Sequence, residues 1–206
     1  MAQKYGCKVL LTDVDQNRLD EAATIARARG LDGIVSTRYL DMYRIDETLL
    51  SEHNYEQFDA AVVEASMTHL KGKHKEKLVR DLHKHCKQIL VHEICLTKGS
   101  NEEHSSLKRE MTEHLRIGFE PLPEDDWKDL LEANNYRVTD VRVGPIGLLH
   151  LKSIVRDEGP LGMAMMAWNM IRQRGLRDRV LETRSAMSKY SDMMGYIILR
   201  GVREDV

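Results

Sequence analysis

The stretch Lys8-Val-Leu-Leu-Thr-Asp-Val-Asp15 decides the fold class of this chain. Its first five residues form an apolar run without polar alternation, which is typical of a parallel strand buried on both faces. Asp13 and Asp15 follow that run. Residues 17–29 then carry apolar side chains at helical spacing, and Gly30 ends the helix. A buried strand followed at once by an amphipathic helix predicts one strand–helix unit of an α/β sheet.

The same alternation continues along the chain. Further strands are expected over residues 34–39, 58–63, 88–92, 136–143 and 195–202, and further helices over residues 73–86, 163–174 and 177–194. Ser100 with Glu103 three residues later forms a capping box, and Pro123 before three acidic residues starts another helix. Strands that alternate with helices predict an α/β fold with a mainly parallel sheet.

The end of the chain departs from simple alternation. A strand, two helices and a final strand predict an edge hairpin opened by a helical insertion over residues 144–194, within a single domain over residues 1–206. The first of these helices is rich in methionine around Trp168. Its Met-rich face is expected either to pack in the core or to form an adaptable wall of a substrate pocket. It would lie over the sheet edge or against a second subunit in a homodimer.

Composition excludes several classes of function. Apolar residues make up 42% and charged residues 31% of the 206 residues, and the formal net charge is −2, so the chain is globular and not a generic polyanion binder. No stretch approaches the ~20 apolar residues of a membrane span, so no membrane partner is expected. The cysteines Cys7, Cys86 and Cys95 have no framework spacing, which indicates reduced thiols in a cytoplasmic protein.

Two further patterns give weak signals. The segment Lys71–Lys87 is basic, but it has no aromatic side chain that could stack on bases, so nucleic acid is disfavoured as a partner. Histidines and cysteines occur together between residues 83 and 95 without a C-x-x-C pair, and no metal site is expected there.

Acidic residues follow three successive predicted strands. They are Asp13, Asp41 and Glu64. Ligands of open α/β sheets bind outside the carboxyl ends of the strands, where an acid can accept hydrogen bonds from ribose hydroxyls. A single acid at such a place is more often a helix cap or part of a solvated loop. Three at consecutive strand ends favour a ligand site.

The motifs around these acids resemble the class I S-adenosylmethionine-dependent methyltransferases that act on small molecules. Residues 8–19 are similar to their second strand and the helix after it, and Tyr39-Leu-Asp-Met42 looks like their adenine-binding turn. Residues 58–70 resemble their fourth-strand motif, and Gly118-Phe119 with residues 127–136 resembles their late helix before strand six. The resemblance covers nearly the whole chain and implies a Rossmann-like sheet with helices on both faces and an antiparallel last strand.

The resemblance also implies a site for S-adenosylmethionine as the cofactor. Asp13 would hold the ribose hydroxyls, and Val14 would touch the adenine. Asp41 would accept from the adenine amino group, and Met42 would pack against the ring.

The methionine part of the cofactor would be lined by Glu64 and Ala65. A residue that removes a proton from the methyl acceptor is not singled out by any spacing. Glu64, His69, His92 and Glu93 are the candidates, but a packed or solvated structural role is favoured for each, so no catalytic base is assigned.

The family's first strand and its glycine-rich loop have no counterpart in these residues, so we expect the natural protein to be longer. The leading hypothesis is methyl transfer to a small molecule, with these residues alone binding the cofactor poorly. The alternatives are a catalytically inactive module that acts through partner binding, and an RNA methyltransferase that uses the Lys71–Lys87 face.

Overall fold

The structure is a computed structural model, which describes residues 1–46, 57–146 and 174–204. The chain divides into two compact units, Met1–Glu56 and Gln57–Val206, which are described separately. The Met-rich helix that the sequence predicts over residues 163–174, with Trp168, lies outside the described residues except for its last position. Its role at a pocket or in a homodimer therefore stays a prediction.

The first unit is built on the strand–helix segment that opens the sequence. Its elements are α1 (Ala2–Tyr5), β1 (Val9–Asp13), α2 (Gln16–Ala28) and β2 (Val35–Tyr39), followed by a 3₁₀ turn over Met42–Arg44. Strands β1 and β2 are parallel, and Asp13 is opposite Tyr39. The bounds of the predicted strand and helix are confirmed to within one residue, but the prediction that β1 is buried on both faces is wrong, since Leu11 is 39% exposed. Helix α2 buries Leu19 and Ala26 on one face.

The second unit contains the remaining elements. They are β3 (Ala61–Glu64), α3 (Gly72–His85), β4 (Gln88–Leu96), α4 (Asn101–Leu115), β5 (Leu122–Pro123), α5 (Glu124–Glu132), β6 (Tyr136–Pro145), α6 (Arg174–Lys189) and β7 (Met194–Arg203). The capping box at the start of α4 is confirmed, because the Ser100 hydroxyl accepts from the Glu103 amide and the Glu103 carboxylate accepts from the Ser100 amide. Strand β4 runs four residues beyond the predicted end at His92, so Glu93 lies inside the strand and does not close it.

The sheet of the second unit has the strand order β3-β4-β7-β6, with β5 paired to the end of β4. Strand β3 is parallel to β4, whereas β7 is antiparallel to both β4 and β6. The α/β fold and the antiparallel last strand are therefore confirmed. Among the described strands, β1 pairs with β2 alone and β3 pairs with β4 alone.

One face of this sheet forms the core of the second unit. Ile89 of β4 is fully buried with Leu131 of α5 and Tyr136 of β6, and all three approach Gly201 of β7. A Cβ atom at Gly201 would lie 3.0–3.1 Å from each of these side chains, so the close packing favours glycine there. The opposite face leaves Ile198 exposed. Within the described residues, no helix is long and apolar enough to cross a membrane.

Candidate functional site

Two aspartates mark the carboxyl ends of the parallel strands in the first unit. Asp13 Oδ1 accepts a hydrogen bond from the Asp15 amide at 2.9 Å, and Asp41 Oδ1 accepts one from the Tyr43 amide at 2.9 Å. Each carboxylate is thus oriented by its own turn through a single oxygen. The hydrogen bonds found in the described part of the chain do not use Oδ2 of either residue, so both Oδ2 atoms can accept from a ligand.

Apolar side chains are exposed beside these two carboxylates in the sequence. Val14, which follows Asp13, is 55% exposed, and Tyr39 is 57% exposed. Met42, which follows Asp41, is half-buried in the 3₁₀ turn. Exposed apolar surface next to oriented carboxylates is suited to a ligand with both a flat ring and hydroxyl groups. Asp13, Asp41 and Met42 are half-buried and Val14 is exposed, and their role in ligand binding stays a prediction.

In the second unit, the end of β3 lies beside the middle of β4. Glu64 is the register partner of His92, and its Oε1 lies 3.1 Å from His92 Nδ1. The Ala65 amide donates to the His92 carbonyl at 2.9 Å, and Ala65 has a φ of +49°. Residues other than glycine seldom adopt this left-handed conformation, which costs of order 1 kcal/mol or more unless surrounding contacts hold it.

Glu93 holds the turn over residues 66–68, which follows Ala65 directly. Glu93 is 3% exposed, and its carboxylate accepts four hydrogen bonds. Oε1 accepts from the amides of Ser66 and Met67 at 2.9 and 2.7 Å, and Oε2 accepts from the amide and hydroxyl of Thr68 at 3.1 and 2.7 Å. With its acceptor sites used in this way, Glu93 is a structural anchor of the turn. The sequence-based candidacy of Glu93 as a catalytic base is therefore not supported.

The same turn is held from its other side. His69 Nδ1 lies 2.8 Å from the Gly118 carbonyl oxygen, and the Glu120 amide donates to the Thr68 carbonyl at 2.7 Å. Because a carbonyl oxygen can only accept, Nδ1 of His69 carries the proton of the neutral ring. A Cβ atom at Gly118 would lie 2.7 Å from the His69 carbonyl oxygen, so glycine is needed for this close approach.

A buried lysine closes the end of the turn. Lys75 is 1% exposed, and its Nζ donates to the Leu70 carbonyl and lies 5.9 Å from the centroid of the Trp127 ring. Burial lowers the pKa of the Lys75 ammonium to about 8, although the nearby Glu120 carboxylate favours the charged form. The basic character of the segment Lys71–Lys87 gave no indication that one of its lysines is buried. The place of Lys75 three residues before Leu78, on the apolar side of the helix, was the available signal.

The cysteines of the second unit, Cys86 and Cys95, are free and buried. Burial raises the pKa of the Cys86 and Cys95 thiols to about 11. Both side chains are therefore unreactive thiols of the core at neutral pH. Cys7, in the first unit, is exposed.

Comparison of sequences gives a distant relationship. No family model matches the chain. An uncharacterized protein of Haemophilus influenzae (strain Rd) is 24% identical over 175 residues, which cover 84% of this chain and 66% of that protein. The chain thus spans slightly less than two thirds of the length of this relative.

Comparison of structures identifies the fold. Phosphoethanolamine N-methyltransferase 2 of Haemonchus contortus, solved with S-adenosyl-L-methionine, has a TM-score of 0.68 at 15% identity, over 99% of this chain and 45% of that one. The [4+2]-cyclase SpnF has a TM-score of 0.66 at 20% identity, over 100% of this chain and 70% of that one. Geranyl diphosphate C-methyltransferase of Streptomyces coelicolor, solved with S-adenosyl-L-homocysteine, has a TM-score of 0.63 at 12% identity, over 98% of this chain and 66% of that one. This chain has the class I methyltransferase fold.

Proposed function

We propose that this chain transfers a methyl group from S-adenosylmethionine to a small-molecule acceptor in the cytoplasm. The observation that carries the proposal is the pair of aspartates at the carboxyl ends of adjacent parallel strands. Asp13 and Asp41 each use Oδ1 in a turn and keep Oδ2 for another acceptor role. The fold supports the proposal, because the neighbours solved with S-adenosyl-L-methionine or S-adenosyl-L-homocysteine share it. The free thiols support the cytoplasmic location.

The residues of the first unit suit the nucleoside part of this cofactor. Oδ2 of Asp13 can accept from the hydroxyls of a ribose, and Oδ2 of Asp41 can accept from an adenine amino group. Val14 and Met42 offer the apolar surface on which a purine ring packs.

The residues of the second unit suit the methionine part. Glu64 is 68% exposed at its side chain, and Ala65 is exposed in a constrained backbone conformation. An exposed carboxylate at a strand end can pair with the ammonium group of an amino acid. The bound cofactor supplies an activated methyl group, so the protein has to bind, orient and exclude water rather than generate a reactive intermediate.

Calorimetry with S-adenosylhomocysteine tests cofactor binding. We expect Asp13→Ala to weaken binding by about 1.5–3 kcal/mol, or roughly 10- to 160-fold, because it removes a charge-assisted hydrogen bond. Asp15→Asn is the matched control, since Asp15 lies two residues away and caps α2 by accepting from the Asn17 amide, which asparagine can also do. Equal affinities of wild type and Asp13→Ala would remove Asp13 from the site, and absence of heat at millimolar ligand would contradict the proposal.

Binding alone does not establish methyl transfer, since SpnF shares this fold and is a [4+2]-cyclase. Release of S-adenosylhomocysteine from S-adenosylmethionine in the presence of pooled small molecules is the direct assay. Turnover with one pool, lost in Asp13→Ala and kept in Asp15→Asn, is the expected result.

A further inference from the structure

We propose that His92 is the catalytic base of this site and that Glu64 is its positioning residue. The inference rests on the proposed function and narrows its substrate class. The methyl acceptor would be a small molecule whose attacking atom carries a removable proton, such as a phenol, a thiol or an amine.

The register of the sheet brings the two side chains together. Glu64 and His92 are opposite each other in the parallel pair β3–β4, although 28 positions separate them in the chain. Glu64 Oε1 lies 3.1 Å from His92 Nδ1, and the side chains are 68% and 46% exposed, respectively. Because a carboxylate only accepts, the neutral His92 ring carries its proton on Nδ1 and keeps the lone pair on Nε2. Nε2 is therefore the atom that can take a proton.

A carboxylate partner also distinguishes His92 from the other candidate bases. As Nε2 takes a proton, the ring becomes a cation, and the Glu64 carboxylate stabilises that cation. His69 is oriented by the neutral carbonyl of Gly118, which stabilises a cation less. Glu93 is buried and accepts from four donors of the turn over residues 66–68. The Glu64–His92 pair is thus the arrangement best suited to proton transfer among these candidates.

Tyr196 of β7 supports the His92 ring from the other side. The two rings meet edge to face, with centroids 5.9 Å apart and an interplanar angle of 84°. The Tyr196 ring in turn fills the space over Gly144, where a Cβ atom would lie 2.6 Å from Tyr196 Oη. The His92 ring is therefore held between a carboxylate and an aromatic edge, which limits its rotation.

The proton and electron balance of the step is simple. The acceptor's attacking atom forms a bond to the methyl carbon, and the bond between that carbon and the donor sulfur breaks with its electron pair left on sulfur. The proton of the acceptor passes to His92 Nε2 and leaves to solvent afterwards. A positioned base of this kind contributes about 10²–10⁴-fold to the rate.

The tautomer of His92 is testable without an acceptor. In protein labelled with ¹⁵N-histidine, long-range ¹H–¹⁵N spectra at a pH where the ring is neutral should show His92 protonated on Nδ1. Glu64→Leu should move that proton to Nε2, while His69, whose partner is the Gly118 carbonyl, keeps its tautomer. Protonation of Nε2 in the wild type, or no change in Glu64→Leu, would overturn the positioning role of Glu64.

The catalytic role is tested by transfer from labelled S-adenosylmethionine to three pools of phenols, thiols and amines. His92→Asn should lower kcat at least 100-fold and leave the Kd for S-adenosylhomocysteine within twofold, and Gly144→Ala, which displaces Tyr196, should lower kcat with the same Kd. His104→Asn is the control, because His104 bonds only the Lys98 carbonyl on the surface of α4 in the described structure.

The outcomes separate the two proposals. If S-adenosylhomocysteine does not bind, the proposed function fails, and the spectra still decide the Glu64–His92 pair. If the ligand binds but no pool is methylated, or if His92→Asn keeps its kcat, the assignment of His92 as the base is overturned.

Discussion

Replacing Glu93 should destabilise the second unit more than replacing any exposed acid at the strand ends. In Glu93→Ala, the amides of Met67 and Thr68 and the Thr68 hydroxyl lose their acceptors, and both residues are at most 1% exposed. An unsatisfied buried donor costs about 1–3 kcal/mol, and removing the carboxylate from the interior recovers part of its desolvation. The net loss should be about 3–5 kcal/mol, a large share of the 5–15 kcal/mol typical of a domain.

Glu93→Gln separates the loss of hydrogen bonds from the loss of volume. The amide oxygen can still accept from Ser66 and Met67, but the amide nitrogen would face the Thr68 N–H, so two donors would meet. We expect a loss of about 2–3 kcal/mol. Glu64→Gln is the matched control, since that exposed side chain bonds only His92 in the described structure and should change stability by less than about 0.5 kcal/mol.

Urea unfolding followed by far-ultraviolet circular dichroism measures these differences, provided the transition is two-state with an unchanged m value. Amide hydrogen exchange locates them: the Thr68 amide should lose protection in Glu93→Gln, while the Met67 amide keeps most of its own. If the free energy of unfolding of Glu93→Gln is within about 0.5 kcal/mol of the wild-type value, the carboxylate does not hold the turn.

The pKa of the Lys75 ammonium is about 8 in the folded protein, against an ordinary value of 10.5. Between these pH values the unfolded chain binds more protons, so the free energy of unfolding should rise by about 1 kcal/mol from pH 7 to pH 9. Lys75→Met should not show this rise. Ser100→Ala removes the N-cap of α4 and should cost about 1 kcal/mol in urea unfolding, with Ser100→Thr close to wild type. Gly118→Ala places a Cβ atom 2.7 Å from the His69 carbonyl oxygen and should lower the thermal midpoint, whereas Gly72→Ala, where a Cβ meets nothing within 4 Å, should not.

Local sequence determined most of the elements, but not all of their ends, since β4 continues to Leu96. The apolar run before Asp13 predicted β1, and the capping box of Ser100 and Glu103 predicted the start of α4. These features depend on residues within a few positions of one another, where side-chain periodicity and capping act directly. The acids at the strand ends could be placed for the same reason, because a strand end and the residue after it are local properties.

Tertiary structure alone decided which candidate does what in the second unit. His92 and Glu93 are neighbours in the sequence, yet one is exposed beside Glu64 and the other is buried under the turn over residues 66–68. Alternation along β4 separates their side chains to opposite faces, but only the pairing of β4 with β3 and β7 shows which face is buried.

Partners at long range set the chemistry of these residues, and no local pattern encodes them. Glu64 meets His92 across 28 positions, and His69 meets Gly118 across 49. Lys75 joins the interior because Leu70 and Trp127 surround its ammonium group, although Lys73 and Glu76 of the same helix are exposed. Strand register and helix packing bring such groups together. The sequence therefore determined most of the secondary structure and the strand-end acids. The fold determined which side chains hold the turn and which are placed to exchange a proton.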